Sequence, residues 1–250
     1  MCRAFAKALD AWWISGQLYS SRRCGKSPVA AELYSHLSRE RHPSAGTKNS
    51  GSHLMRFWTM LAHTQGELLN ASKLASALGV ESVTVSRYLD LMVDLLLVRR
   101  LEPWYGNVKK RLVKSPRTYV RDSGLVHALL HIPNYEVLLG HPIFGKSWEG
   151  FVIETIINAL PSGTHSYFYR TSAGAEIDLV LEFGLDEYWA IEIKASRTPT
   201  LKKGFHLACD DLKVKRKFVI YAGDDTFLSS HDTTILSLAY FIEELRKKTG

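Results

Sequence analysis

Two runs, "EIDLVLEF" at 176–183 and "YWAIEIKAS" at 188–196, constrain the fold most strongly. Each is rich in β-branched and aliphatic residues and long enough for a buried strand. Only "GLDE" separates them, so they are expected to form an antiparallel hairpin. Both carry charge in their interior. Alternation places Glu192 and Lys194 on one face of their strand. A register with Asp178 opposite Glu192 would add a second carboxylate to that face, and a slip of one residue would turn it away. Charges inside buried strands need a partner, a metal or a chemical task.

The surrounding pattern sets the architecture. "SWEGFVIETIINALP" reads as a helix, with Ser147 as its cap, Phe151, Ile153, Ile156, Ile157 and Leu160 on its apolar side, and Pro161 ending it. "SYFYRT" is a strand preceding the hairpin. A helix over about 200–212, a strand "KFVIYAG" and a last helix "ILSLAYFIEELRKK" follow. Helix, three strands, helix, strand, helix is an α/β sandwich with a mixed sheet. Just upstream, "TYVRDSGLVHALLHI" reads as a short strand and a helix capped by Asp122.

Residues 53–117 read as a smaller module and 118–250 as the α/β domain. "HLMRFWTMLAHTQG" is helical to near Gly66. In "NASKLASALGVESVTVSRYLDLMVDLLLVRRL", Ala75, Gly79 and Val85 fit a helix-turn-helix, with Ser72 and Ser82 as caps. "LVRRLEPW" and "KKRLVKSP" are then expected to be the strands of a wing. Such a module docks on DNA through its second helix, which here offers one cation, Arg87. Lys109, Lys110, Arg111, Lys114 and Arg117 make a stronger phosphate-binding set, or else a solvated strand edge kept charged against pairing.

The charge distribution agrees with this reading. Residues 99–121 hold eight basic side chains and one acid, residues 176–194 six acids and only Lys194, and residues 197–217 seven basic side chains and two acids. Acids between basic segments suit a site that binds cations and grips a polyanion, as the net charge of +7 also allows. Cys2, Cys24 and Cys209 are too dispersed for a disulfide framework or a zinc site. No apolar run reaches the roughly 18 residues of a membrane span. These features lead to the expectation of a cytoplasmic protein with no membrane partner. Residues 1–52 are read as an irregular, partly helical remnant. "CGKS" at 24–27 resembles the end of a phosphate-binding loop, but Ser20 stands where its leading glycine belongs and Pro28 follows, so no nucleotide is expected.

Glu149 on the helix, Asp178 on the second strand, and Glu192 with Lys194 on the third form an acid, an acid and Glu-x-Lys. Carboxylates that converge in apolar surroundings repel until one protonates or a cation arrives, and hard oxygen donors favour Mg²⁺ or Mn²⁺. Glu149, Asp178 and Glu192 are the expected metal ligands, and Lys194 the amine that holds a water and neutralises charge on phosphorus. The reaction so implied is phosphodiester hydrolysis. Glu154 is a weaker alternative to Glu149, and Arg170 and Glu176 are possible assistants. His141, His165 and His206 show no pairing by spacing. The plain alternatives are a Glu149 that only offsets a helix dipole and a surface Glu192–Lys194 salt bridge.

"AEID…AIEIK" behind a helical Glu resembles the PD-(D/E)xK nuclease superfamily, with Ile177 where that name has proline. At greater length, residues 54–245, including "LLGHPIFGKSWEGFVIE" and "YRTSAGAEIDLVLE", are similar to the C-terminal half of a family of prokaryotic AAA+-type ATPases. The resemblance implies a winged helix-turn-helix module followed by a restriction-endonuclease-like α/β domain with a mixed sheet. The ATPase domain of that family is not matched, so ATP hydrolysis is not carried over and a truncated relative or a fragment is expected. Nucleic acid, above all DNA, is the expected partner. The alternative is a non-catalytic nucleic-acid-binding or interaction module. A second copy or a partner protein is left open.

Overall fold

The computed structural model describes residues 50–106, 110–184, 186–229 and 232–249. The zone before residue 50, with its loop-like "CGKS", and Lys109 lie outside the described residues. The described residues divide into two compact units, one within residues 50–100 and 118–150, the other within residues 101–117 and 151–249.

The first unit begins with α1 (Ser50–His63), whose Leu54, Phe57, Trp58, Leu61 and Ala62 are buried at helical spacing. Two helices, α2 (Ala71–Leu78) and α3 (Ser82–Asp94), are joined through Gly79, whose φ of 68° closes α2 in the left-handed region. The caps differ from expectation. Asn70, not Ser72, accepts the Lys73 N–H, and Ser82 is already helical, preceded by Glu81 without a side-chain cap bond. Ala75, Val85, Leu89 and Met92 are buried where the two helices need apolar anchors.

The expected wing does not form as read. β1 (Val98–Leu101) pairs with β2 (Arg117–Val120), four residues buried throughout, and "KKRLVKSP" is not its partner. The physical reason is charge: a hairpin of the two expected segments would have run cationic stretches against each other, whereas β2 brings one cation, the buried Arg117, followed by Thr118, Tyr119 and Val120. The Gln65 amide satisfies the far edge of β2, donating to the Val120 carbonyl at 3.1 Å and accepting the Val120 N–H at 2.8 Å. Gly150 is required here, since a Cβ would lie 2.6 Å from Gln65 Nε2.

Next come α4 (Ser123–Leu129), capped by Asp122 as expected, α5 (Tyr135–Leu139), and α6 (Phe144–Asn158), which ends in the other unit. Because α6 starts at Phe144, Ser147 lies inside it rather than capping it. Fully buried, its Oγ sits 2.9 Å from His127 Nε2. Burial first, and His141 second, pull the His127 pKa down to about 4. The folded protein therefore holds this imidazole neutral while the unfolded chain protonates it near 6.5. Stability should be whole above about pH 6.5, fall as pH drops toward 4, and level off below that, by about 3 kcal/mol in all. Urea titrations of wild type and His127→Phe across that window check this; an equal acid loss in both would refute it.

The second unit is built on a six-stranded sheet in the order β3-β4-β5-β6-β8-β7. β3 (His165–Arg170), β4 (Glu176–Glu182) and β5 (Tyr188–Lys194) run antiparallel. After α7 (Lys203–Leu212), β6 (Arg216–Tyr221) returns parallel to β5. Ile177, Val180 and Ala190 pack with Phe205, Ala208 and Cys209 of α7. β7 (Phe227–Ser229) and β8 (Thr233–Ser237) complete the sheet before α8 (Leu238–Thr249). "ILSL", expected at the start of the last helix, thus belongs mostly to β8. Residues 102–104 and 111–113 lie along the edge of β3: Trp104 N–H donates to the Phe168 carbonyl at 2.7 Å, and Val113 N–H to that of Arg170 at 3.0 Å.

Candidate active site

The β4–β5 register sets Leu179 against Ile191 and Val180 against Ala190, the register that aims Asp178 at Glu192. The recorded pairs stop at Leu179, however. On the other side, Tyr167 pairs with Val180 but Tyr169 with Ile177, so Phe168 alone faces Asp178 and Leu179 together. This is a β-bulge, a device that re-aims a side chain and bends its strand. It accounts for Ile177 and Val180, three residues apart, both packing with α7. It also takes Asp178 out of the simple alternation that would have aligned it with Glu192.

Asp178 sits where the ladder opens. Its Oδ2 accepts the Ile193 N–H at 3.0 Å, taking the place of a strand carbonyl. Ile193 is the middle residue of Glu192-Ile193-Lys194, so the carboxylate is tied to the backbone of the Glu-x-Lys segment. Glu192 and Lys194 are paired, with Nζ 2.5 Å from Oε1. Asp178 and Glu192 are each 7% exposed, so these are buried carboxylates rather than a solvated sheet face.

Arg117 is the residue that sequence reasoning misplaced. Expected in the surface basic set, it is 2% exposed. Its guanidinium stacks 4.9 Å from the Phe168 ring centroid, forms an ion pair with Glu176, and reaches Asp178 Oδ1 at 3.4 Å. The signal available was only its position directly before "TYV", the segment read as a short strand. Arg170 also approaches Glu176, at 3.8 Å.

Glu149 belongs to the first unit. It is 6% exposed, accepts the Tyr119 hydroxyl at 2.8 Å, and pairs with Lys146 at 2.6 Å. A dipole-compensating surface residue would not be held this way. Glu154 is half-buried and bonded to Asn158. His141 accepts the Ile143 N–H, His165 lies at the start of β3, and His206 stacks edge-on to Phe205.

Of the basic set, Arg87 on α3 is exposed, as are Arg111 and Lys114 beside β3, while exposed Lys110 pairs with Asp211 at 2.5 Å. The Tyr169 hydroxyl bonds the same carboxylate at 2.9 Å. Among the described residues no group of three or more His, Cys, Asp or Glu side chains is arranged to hold a metal ion. Mg²⁺ asks for less, one or two carboxylates with water and substrate phosphate completing its shell. Asp178 and Glu192 are the buried carboxylates that could serve such a shell. Among the described residues no helix is long and apolar enough to cross a membrane.

Residues 144–241 match the family profile of a domain of unknown function, DUF4143, and residues 31–136 that of another, DUF8612. The uncharacterized proteins Mb2031c of Mycobacterium bovis and Rv2008c of Mycobacterium tuberculosis are each 37% identical over 234 residues, covering 92% of this chain and 52% of the relative. The chain thus spans about half the length of these curated relatives. A chain from the assembly of Thermococcus gammatolerans McrB AAA+ hexamers with bound McrC is matched over 79% of this chain and 76% of that one. It shares 10% identity at a TM-score of 0.32, too low to support any inference.

Proposed function

We propose that the second unit is a metal-dependent nuclease of the PD-(D/E)xK type, a restriction-endonuclease-like domain that processes DNA. One observation carries the reading: the Asp178 carboxylate of β4 binds the backbone of the Glu192-x-Lys194 segment of β5, which holds a buried acid and an amine. The order α6, β3, β4, β5, α7, β6 supports it. Asp178 and Glu192 would hold Mg²⁺ or Mn²⁺. When bound, such an ion supplies an activated water and shields charge on phosphorus. Lys194 orients that water and offsets the growing negative charge. The experiment is plasmid nicking by wild-type protein with Mg²⁺ or Mn²⁺, against a chelator control. Cleavage that needs the metal is expected, and none under any metal condition would sink the enzyme reading.

A second reading has its own observation. Each acid already has a cation beside it, Arg117 for Asp178, Lys194 for Glu192 and Lys146 for Glu149. That satisfied state suits a non-catalytic nucleic-acid-binding module with α2 and α3 as a winged-helix-like part. In both readings Arg87, Arg111, Lys114 and Lys110 meet phosphate. Replacing Lys110, Arg111 and Lys114 together by Ala should weaken duplex DNA binding and flatten the slope of log K against log salt by about three. An unchanged slope would remove this segment from the interface.

A further inference from the structure

We infer that Arg117 is a resident counter-ion of Asp178, shared with Glu176, that must yield Asp178 before a divalent cation can bind there. The inference rests on the metal-site reading above and concerns a residue that reading leaves without a role.

The guanidinium is buried on the Phe168 ring, where a cation is costly unless carboxylates surround it. Two do, and they hold it unequally. Both acids pair with it, but the contact to Asp178 Oδ1, at 3.4 Å, is at the long limit for a hydrogen bond, whereas that to Glu176 is closer. Glu176 is also the more exposed of the two acids, with 31% of its side chain accessible against 10% for Asp178. Arg117 can therefore place its whole charge on Glu176 and release Asp178 without becoming an isolated buried cation. Asp178 would meanwhile keep its bond from the Ile193 N–H, a neutral donor that does not compete with a metal for charge. Without a divalent ion, Arg117 supplies the positive charge that the buried Asp178 needs. With one, Glu176 is the perch to which Arg117 retires.

Opposite signs follow for two substitutions, and a merely structural role would not produce them. Arg117→Gln removes the competitor and should tighten Mn²⁺ binding about tenfold. Glu176→Gln removes the perch, leaves the guanidinium to Asp178 alone, and should weaken Mn²⁺ binding about tenfold. Asp178→Asn in the Arg117→Gln background should abolish the gain. Mn²⁺ affinity is read by isothermal titration and by the metal's electron paramagnetic resonance signal on the full chain, with circular dichroism confirming the fold. Should Arg117→Gln not fold, Arg117→Lys, which keeps the charge but cannot span both acids, carries the test with an expected tightening of about threefold. Affinities that change in the same direction for the Arg117 and Glu176 variants, or do not change, overturn the inference. The failures are separable. Opposite-signed Mn²⁺ shifts without DNA cleavage would keep the counter-ion role and sink the nuclease, whereas cleavage with unshifted affinities would do the reverse.

Discussion

Lys194→Ala is expected to lower metal-dependent cleavage by about 10²–10³-fold, the loss typical of removing one donor aimed at developing charge. Lys194 lies on β5 two residues from Glu192, with its ammonium 2.5 Å from that carboxylate and its side chain only 25% exposed. In the nuclease reading it would be held where charge on phosphorus builds. Lys194→Arg should recover little, because a planar guanidinium cannot take the place of a compact ammonium. Folding is a lesser effect: Glu192 loses its partner, but the pair is partly solvated, so a cost of about 1 kcal/mol is expected. Single-turnover nicking at saturating Mn²⁺, beside a urea titration, separates the two. Wild-type cleavage by the folded Ala variant would strip Lys194 of its chemical role.

Much of the second unit was legible because β4, β5 and β6 are short runs rich in β-branched and aliphatic residues, buried over most of their length, and α7 shows its apolar stripe between β5 and β6. The last sixth was not legible, for a physical reason. "TTILS" passes directly into "LAYFIEEL" with no glycine or proline between, and a short apolar run has no period of its own to distinguish strand from helix. Caps failed similarly. Ser72, Ser82 and Ser147 are residues that favour helix starts, yet Asn70 and the earlier beginnings of α3 and α6 came first. At the site, sequence supplied the residue types on β4 and β5 and their antiparallel hairpin, but left open the register between the strands. It did not supply the bulge, because an inserted residue leaves composition unchanged and is visible only in how Tyr167 and Tyr169 pair. Nor did it reveal Arg117 as interior, since cations near lysines read as surface until strand pairing shows otherwise.

The largest stability effect is expected from Trp189→Ala, about 3–5 kcal/mol, from the end of β5 opposite the Glu-x-Lys segment. Trp189 is 1% exposed and stands against Phe183, Phe218 and Phe241, with ring centroids 4.6, 5.3 and 6.4 Å away. Arg216 lies 4.8 Å over its ring and also pairs with Glu244 of α8 at 2.9 Å. One side chain therefore joins β5, β6 and α8. Its removal leaves a void whose aromatic walls cannot close without moving α8, so transfer and cavity costs add. Trp189→Phe keeps a ring in the cluster and should lose less than about half as much. Urea midpoints at constant slope, read by circular dichroism, measure both losses. Because Glu192 and Lys194 are only three and five residues along the same strand, a large loss in stability should also bring weaker Mn²⁺ binding at temperatures well below unfolding. A Trp189→Ala variant that loses less than about 1 kcal/mol would mean that β5 is anchored by α7 instead, through Ala190 and its neighbours.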